Sequence, residues 1–407
     1  MFPTLLLLGL ATAPISQAGF DPKDGFHLGS PDGDFLLRIG SRLQFRNTFK
    51  ARDERGDTVG PRELDGSDEF FTEVKRARIL FTGHALTPRL NYVFNFSTAA
   101  EAATIRLFDA YVNYKAGQAL GAGADAVQVG AGLRRPFFLR QEPTTSGKLQ
   151  FVERSLANEV FNTSHHVGAW LQGDPGPMFY AFFVTNGFDS INTTPGNVDQ
   201  SPAFVGKLDW SILGDEDNGR YEESHVSCAD EVIWIAGVSA ATDKNNGSSN
   251  ASGERFEVYQ FGVDTVFKWS VLSLECEYMG RWLDYASGNT AAGGETGALY
   301  AHGFCAQIGC FLVPSRLEIA GRVSAVWTDT GPARGNAVEA GPGLNWFLSR
   351  SHKVKLQSNL LYIDIPADLP NASDSLDVAP PSLLSAAADF HRGEQGWLLE
   401  TQLQVEF

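Results

Sequence analysis

Along residues 35–50 the odd positions read Phe35, Leu37, Ile39, Ser41, Leu43, Phe45, Asn47 and Phe49. The even positions read Leu36, Arg38, Gly40, Arg42, Gln44, Arg46, Thr48 and Lys50. A period of two over that length predicts a long strand with one greasy and one cationic face. A soluble sheet can alternate in the same way, since one face often meets water. Repetition separates the cases. Residues 89–97 place Leu90, Tyr92, Phe94 and Phe96 opposite Arg89, Asn91 and Asn95, and residues 397–407 place Trp397, Leu399, Leu403, Val405 and Phe407 opposite Glu400, Gln402, Gln404 and Glu406. Each is about the 10 residues that a tilted strand needs to cross a bilayer.

Further strands are expected near 71–84, 105–115, 126–134, 165–172, 178–186, 203–213, 231–242, 255–269, 270–284, 299–311, 315–327, 337–348 and 353–365, sixteen with the three above. An even number suits a single-chain bacterial barrel. The links alternate in length. Those at 83–88, 174–177 and 269–270 are short, as periplasmic turns are, whereas 51–69, 187–202, 243–254, 285–297 and 366–395 are long and polar, as extracellular loops are. In hydrocarbon every backbone N–H and C=O needs an internal partner, so spanning strands must close into a barrel. Sixteen strands enclose more space than their own side chains fill, and water in that space conducts solutes. Phe407 ends an alternating strand with an aromatic, the form that outer-membrane assembly machinery reads. The expected architecture is all-β, a 16-stranded antiparallel transmembrane barrel over residues 34–407 in a Gram-negative-type outer membrane.

Composition agrees: among 407 residues there are 42 Gly and 29 Phe but 3 Met, a strand-and-turn composition, and 43% apolar content excludes disorder. The apolar run at 4–15 is too short and proline-interrupted to span a bilayer, and it fits a signal peptide over residues 1–18, cleaved after Ala18. A short segment, 19–33, precedes the barrel. Export implies an oxidising compartment, in which Cys228, Cys276, Cys305 and Cys310 have three possible pairings. No ligand spacing suggests a metal, no cofactor is expected, and a net charge of −16 argues against nucleic acid. That charge is uneven. Between residues 34 and 159, 18 Lys/Arg face 15 Asp/Glu, whereas beyond residue 159 there are 13 against 30.

The run Glu73-Val74-Lys75-Arg76-Ala77-Arg78-Ile79-Leu80-Phe81-Thr82-Gly83, followed by Phe108-Asp109-Ala110-Tyr111-Val112-Asn113-Tyr114, resembles the early strands of the phosphate- and polyphosphate-selective porin family. So do Val129-Gly130-Ala131-Gly132-Leu133-Arg134-Arg135-Pro136-Phe137, Phe151-Val152-Glu153-Arg154-Ser155 and Val184-Thr185-Asn186-Gly187. The resemblance covers residues 34–190 by motif and the rest by strand pattern. It implies a homotrimeric porin whose third extracellular loop, here 136–162, folds inward to narrow the channel. It also implies Arg140, Lys148 and Arg154 as constriction residues, with Arg134 and Arg135 at the mouth. Dense lysine and arginine arrays mark the family's anion channels, and the acidic later two-thirds of this chain depart from them.

Arg38, Arg42, Arg46 and Lys50 share one face. Toward lipid each would cost about 2–4 kcal/mol at the midplane, so they belong in the lumen, as an anion stair or as a wall paired with Glu142 and Glu153. Arg76 and Arg78 share a face on the second strand, where guanidinium groups suit anions bidentately and equally suit neighbouring carboxylates. Glu275, Glu277 and Arg281 read as lumen-facing. Tyr92, Trp210, Trp269, Trp282, Trp346, Tyr362 and Trp397 suit interfacial girdles. His165 and His166 are adjacent and diverge on a strand, which argues against a shared metal. A barrel-embedded lipid hydrolase using Ser164 and His165 lacks an orienting motif such as GxSxG, so no enzyme is expected. A scaffold without transport is the other alternative to a diffusion pore for small solutes, anions such as phosphate or polyphosphate among them.

Overall fold

The computed structural model describes residues 17–21, 25–54, 68–99, 105–188, 201–214, 219–245, 256–285, 298–329, 336–365, 390 and 394–407. Sixteen of its strands form a closed antiparallel barrel. They run from β3 (Leu36–Glu54), β4 (Glu69–Ala85), β5 (Thr87–Ala99), β6 (Ile105–Lys115), β7 (Gln128–Arg134) and β8 (His166–Gly173) through β9 (Met178–Thr185), β10 (Ala203–Leu213), β11 (Ile233–Asn245) and β12 (Phe256–Trp269). The circuit continues with β13 (Leu272–Tyr285), β14 (Ala298–Val313), β15 (Leu317–Asp329), β16 (Asn336–Phe347), β17 (Val354–Asp364) and β18 (Glu394–Glu406). Every strand read from the alternation is present. The ring closes where β18 pairs with β3, from Glu394–Glu54 to Glu406–Arg42.

The segment before the barrel is more ordered than its sequence signals. β1 (Gln17–Asp21) and β2 (Gly25–Gly29) form a hairpin, and β2 pairs with Leu36 to Ile39 of β3 below the point where β18 ends. A run this short shows no sustained alternation, because its partner is the overhang of β3. The expected cleavage point lies within β1, and residues 1–16 lie outside the described residues.

The two faces sort as the periodicity requires. Odd residues of β3 such as Leu43, Phe45 and Phe49 look outward, and Gln44, Arg46, Thr48 and Lys50 are buried inside. On the outer wall Trp210, Trp234, Trp269 and Trp346 sit near the short-turn end, and Tyr259, Trp282, Tyr300 and Trp397 near the other. Trp269 and Tyr259 are ten positions apart on β12; at about 3.3 Å per residue and a tilt near 40° that separation is about 25 Å, the height of an outer-membrane apolar band. The four cysteines are all free. Cys276 pairs with Ala306 and Cys305 with Glu277, so the register puts these two thiols on opposite faces.

The lumen is filled unevenly. The connection between β7 and β8, residues 135–165, folds into it as the third long loop and carries a short helix, α1 (Leu156–Phe161), capped by the Ser155 hydroxyl, which accepts from Asn158 N–H (3.2 Å). Phe138, Leu139, Phe151, Leu156 and Phe161 of this loop are fully buried against β12–β17. At roughly 2 kcal/mol per side chain they contribute on the order of 10 kcal/mol to seating it. Two wall glycines make room: a Cβ at Gly303 would lie 2.7 Å from the Phe161 ring, and one at Gly262 3.2 Å from Leu139.

Val263 lies on the lipid face of β12 between the two belts, half exposed. Val263→Arg is expected to destabilise the barrel by about 2–4 kcal/mol in a urea folding titration in lipid vesicles, because the charge meets hydrocarbon. An unchanged midpoint would place this face elsewhere.

Candidate functional site

The open passage is eccentric. Loop 135–165 lies against the β12–β17 wall, and space remains on the β3–β7 side as two abutting cavities. One of about 300 Å³ is lined by Arg38, Arg42, Arg78, Asn95, Thr145, Lys353 and Glu406. The other, of about 190 Å³, is lined by Arg78, Asn95 and Thr145 again, with Asp109, Arg135, Glu142, Arg154 and His165. The barrel strands supply one bank and the loop the other.

Four guanidinium groups at this narrowing make no salt bridge with any described residue: Arg78, Arg134, Arg135 and Arg154. Arg78 stacks over Phe108 (4.2 Å) and its Nε has no hydrogen-bond partner. Arg135 donates to the Glu142 carbonyl (3.3 Å), and Arg154 donates to the carbonyls of Gln141 (2.8 Å) and Thr144 (2.6 Å). Burial and the neighbouring Arg135 draw Arg154 down to about 10, which still leaves it charged at neutral pH. Of the carboxylates nearby, Asp109 is engaged on both oxygens and Glu142 on one, its Oε2 having no hydrogen-bond partner. Asp109 accepts from Asn95 (2.8 Å) and faces His165 (3.5 Å), while Glu142 accepts from the backbone N–H (2.8 Å) and hydroxyl (2.9 Å) of Thr163. Burial raises the Glu142 carboxyl above its ordinary value.

The other expected residues hold the loop and the wall. Arg46 reaches Glu153 (2.5 Å) and Glu400 (3.1 Å), and Arg76 grips the same Glu153 (2.7 Å). Burial by itself would raise Glu153, but Arg46 and Arg76 hold it well below the usual carboxylate range. Lys50 is buried beside Glu69 (3.5 Å) and the Phe71 ring (5.0 Å). Arg134 is boxed by Tyr111, Phe137 and Trp170 at 4.8–5.1 Å and donates to Gln172 (3.1 Å). Arg140 is fully buried between Asp209 (3.1 Å) and Asp264 (2.5 Å), facing the wall rather than the passage. Lys148 pairs with Glu222. Arg42 does both, bonding Glu406 (2.6 Å) and the Thr145 hydroxyl (2.6 Å) while lining the larger cavity, and Arg134 lines the smaller one. Thus Arg38, Arg42, Arg78, Arg134, Arg135 and Arg154 edge the two cavities, and Arg46, Lys50, Arg76, Arg140 and Lys148 do not.

Lys353, Asn95, Thr145, Asp109 and Glu406 were not singled out from the sequence. Asp109 lies within the Phe108–Tyr114 run and Glu406 on the polar face of the last strand, so both were within reach. Lys353 lies in a turn with no periodicity to orient it. Ser164 and His165 share no hydrogen bond; His165 packs on Phe108 (4.1 Å), and burial, opposed by Asp109, lowers it to about 4. His166 turns away to Thr185 (2.9 Å). Among the described residues no His/Cys/Asp/Glu cluster could hold a metal ion.

A closed sixteen-stranded membrane barrel with a loop-narrowed, water-accessible passage defines a class: the outer-membrane porin, a channel for passive diffusion of small solutes. Residues 47–218 match the model of the phosphate-selective porin O and P family. Its fold is similar to that of an anion-selective porin from Comamonas acidovorans (TM-score 0.59, 10% identity, 91% of this chain and 99% of that one). It is also similar to the outer membrane channel DcaP of Acinetobacter baumannii (0.56, 12%, 93% and 99%) and to a loop L8 deletion mutant of OmpT of Vibrio cholerae (0.55, 7%, 91% and 99%). No curated protein matches the chain.

Because Glu153 is held below its ordinary value of about 4.5, its contribution to stability is complete above that pH and is lost as pH falls through the depressed value. Glu153→Gln should lower stability by about 2 kcal/mol at neutral pH, since Arg46 and Arg76 lose a buried counter-charge. The gap in thermal midpoint between variant and wild type should close as pH falls below about 4.5. A gap that does not change with pH would remove Glu153 as the anchor.

Proposed function

We propose that the protein is an anion-preferring diffusion channel whose eyelet is formed by Arg78, Arg135 and Arg154, with Arg38 and Arg42 leading to it. The observation that carries this reading is that the three eyelet guanidinium groups make no salt bridge with a described residue, while Asp109 beside them is engaged by Asn95 and His165. Charged donors in a narrow, partly desolvated passage favour anions such as phosphate, whose oxygens they bond bidentately. Arg46, Arg76, Arg134, Arg140 and Lys148 act indirectly by fixing the loop. In a planar bilayer under a salt gradient the wild type should show stepwise conductance with a reversal potential on the anion side. Arg78→Ala with Arg135→Ala should move that potential toward zero. An unchanged potential overturns the eyelet assignment, and absence of conductance from folded protein favours a non-transporting scaffold.

The channel acts as a homotrimer in this reading, exported by the signal peptide at 1–18 and inserted by the assembly machinery through Phe407. Support for self-association comes from the outer wall, where Ser358, Thr401, Asn47 and Thr72 are cross-strand neighbours in one row between the aromatic belts. Ser358 bonds Thr401 (3.0 Å) and Thr72 donates to Asn47 (2.7 Å). Polar groups facing hydrocarbon are costly, and a second copy of the same surface would relieve them. Unheated gel electrophoresis should show a trimer, and Thr401→Trp should release monomers. A wild type that runs only as a monomer overturns the assignment.

A further inference from the structure

The smaller cavity is edged by rings as well as by charge. Phe108, Tyr111 and Phe137 line it together with the guanidinium groups, and all three are half-buried. Phe108 arrives there through a break in the ladder. From Asp109 onward the odd residues of β6 face the lumen, so strict alternation would turn Leu107 inward and Phe108 toward lipid. Asn95 pairs with Asp109, however, while Phe96 pairs with Leu107, which leaves Phe108 as the extra residue of a bulge. Bulges re-aim side chains. Here Leu107 is left exposed on the outer wall, and Phe108 points inward against Arg78 (4.2 Å) and His165 (4.1 Å).

Tyr111 and Phe137 are placed by Arg134, whose guanidinium lies 4.9 and 4.8 Å from their ring centres. Behind them Trp170, Phe179 and Phe183 are 1–5% exposed and belong to the core. The front three are the rings left beside open space. A tetrahedral inorganic anion would gain charge and donors here but nothing from the rings. A carboxylate on a flat aryl body gains both: its oxygens meet a guanidinium edge bidentately, and its ring packs edge-to-face or offset on the aromatic bank. The dimensions agree, since a cavity of about 150 Å³ takes a benzene and this one is about 190 Å³. We infer that the eyelet is a subsite for aromatic carboxylates, with Phe108, Tyr111 and Phe137 as the residues that recognise the aryl group. The inference rests on the eyelet reading for capture of the carboxylate.

Block of the chloride current by benzoate and by acetate, measured on the full-length protein in planar bilayers, tests it. The two anions share a carboxylate and differ by the ring. Benzoate should block at a concentration about three- to tenfold lower than acetate, the value of one aromatic contact. Phe108→Leu, which keeps apolar bulk and removes the ring, should raise the benzoate constant by a similar factor and the acetate constant far less, and Phe108→Tyr should restore tight block. The wild-type comparison decides the matter by itself if the leucine variant fails to fold. An anion-selective wild type blocked equally by benzoate and acetate, or benzoate block unchanged in folded Phe108→Leu, overturns this inference alone. A wild type with no anion preference overturns the eyelet reading and this inference with it.

Discussion

Everything in this molecule follows from the requirement that no backbone amide be left unpaired in hydrocarbon. That requirement closes the sheet, since sixteen strands in a ring have no free edge between the two aromatic belts. Closure then imposes the two-faced chemistry of each strand. Whatever is charged must look inward, so a hollow of this size begins as an enclosure crowded with ions.

An interior of that kind has to be neutralised locally, and the protein does so by turning a connection inward. Loop 135–165 brings an apolar spine that excludes water from one side and charged groups that each meet two opposite charges of the wall: Arg140 between Asp209 and Asp264, Glu153 between Arg46 and Arg76. Such pairs are expensive to desolvate and are not in themselves a source of stability. Their effect is positional, because breaking either leaves an uncompensated buried charge. Arg78, Arg135 and Arg154, which make no salt bridge with a described residue, all edge open space.

The strands were legible because a period of two survives even where single residues are ambiguous; Asn47 and Ser41 interrupt the oily face of β3 without obscuring it. The inward loop was legible only through its resemblance to a family. Which arginine faces solute was not. Arg140 and Arg154 lie in the same loop, yet one meets two aspartates contributed by β10 and β12 and the other meets carbonyls of its own loop. That difference depends on pairings across more than a hundred residues, which no local pattern encodes. The inward placement of residues 219–226 escaped for a related reason: the segment has no periodicity, and its partners are scattered over the loop, β10, β12 and β15.

The passage thus has two unlike banks. On one side Arg38, Arg42 and Arg78 are mounted on hydrogen-bonded strands whose positions are dictated by the ring. On the other, Arg135 and Arg154 hang from main-chain carbonyls of a folded-in excursion. Changes to that excursion can retune the aperture while the cylinder stays intact, so a single chassis can be refitted for a different cargo by editing a few dozen residues.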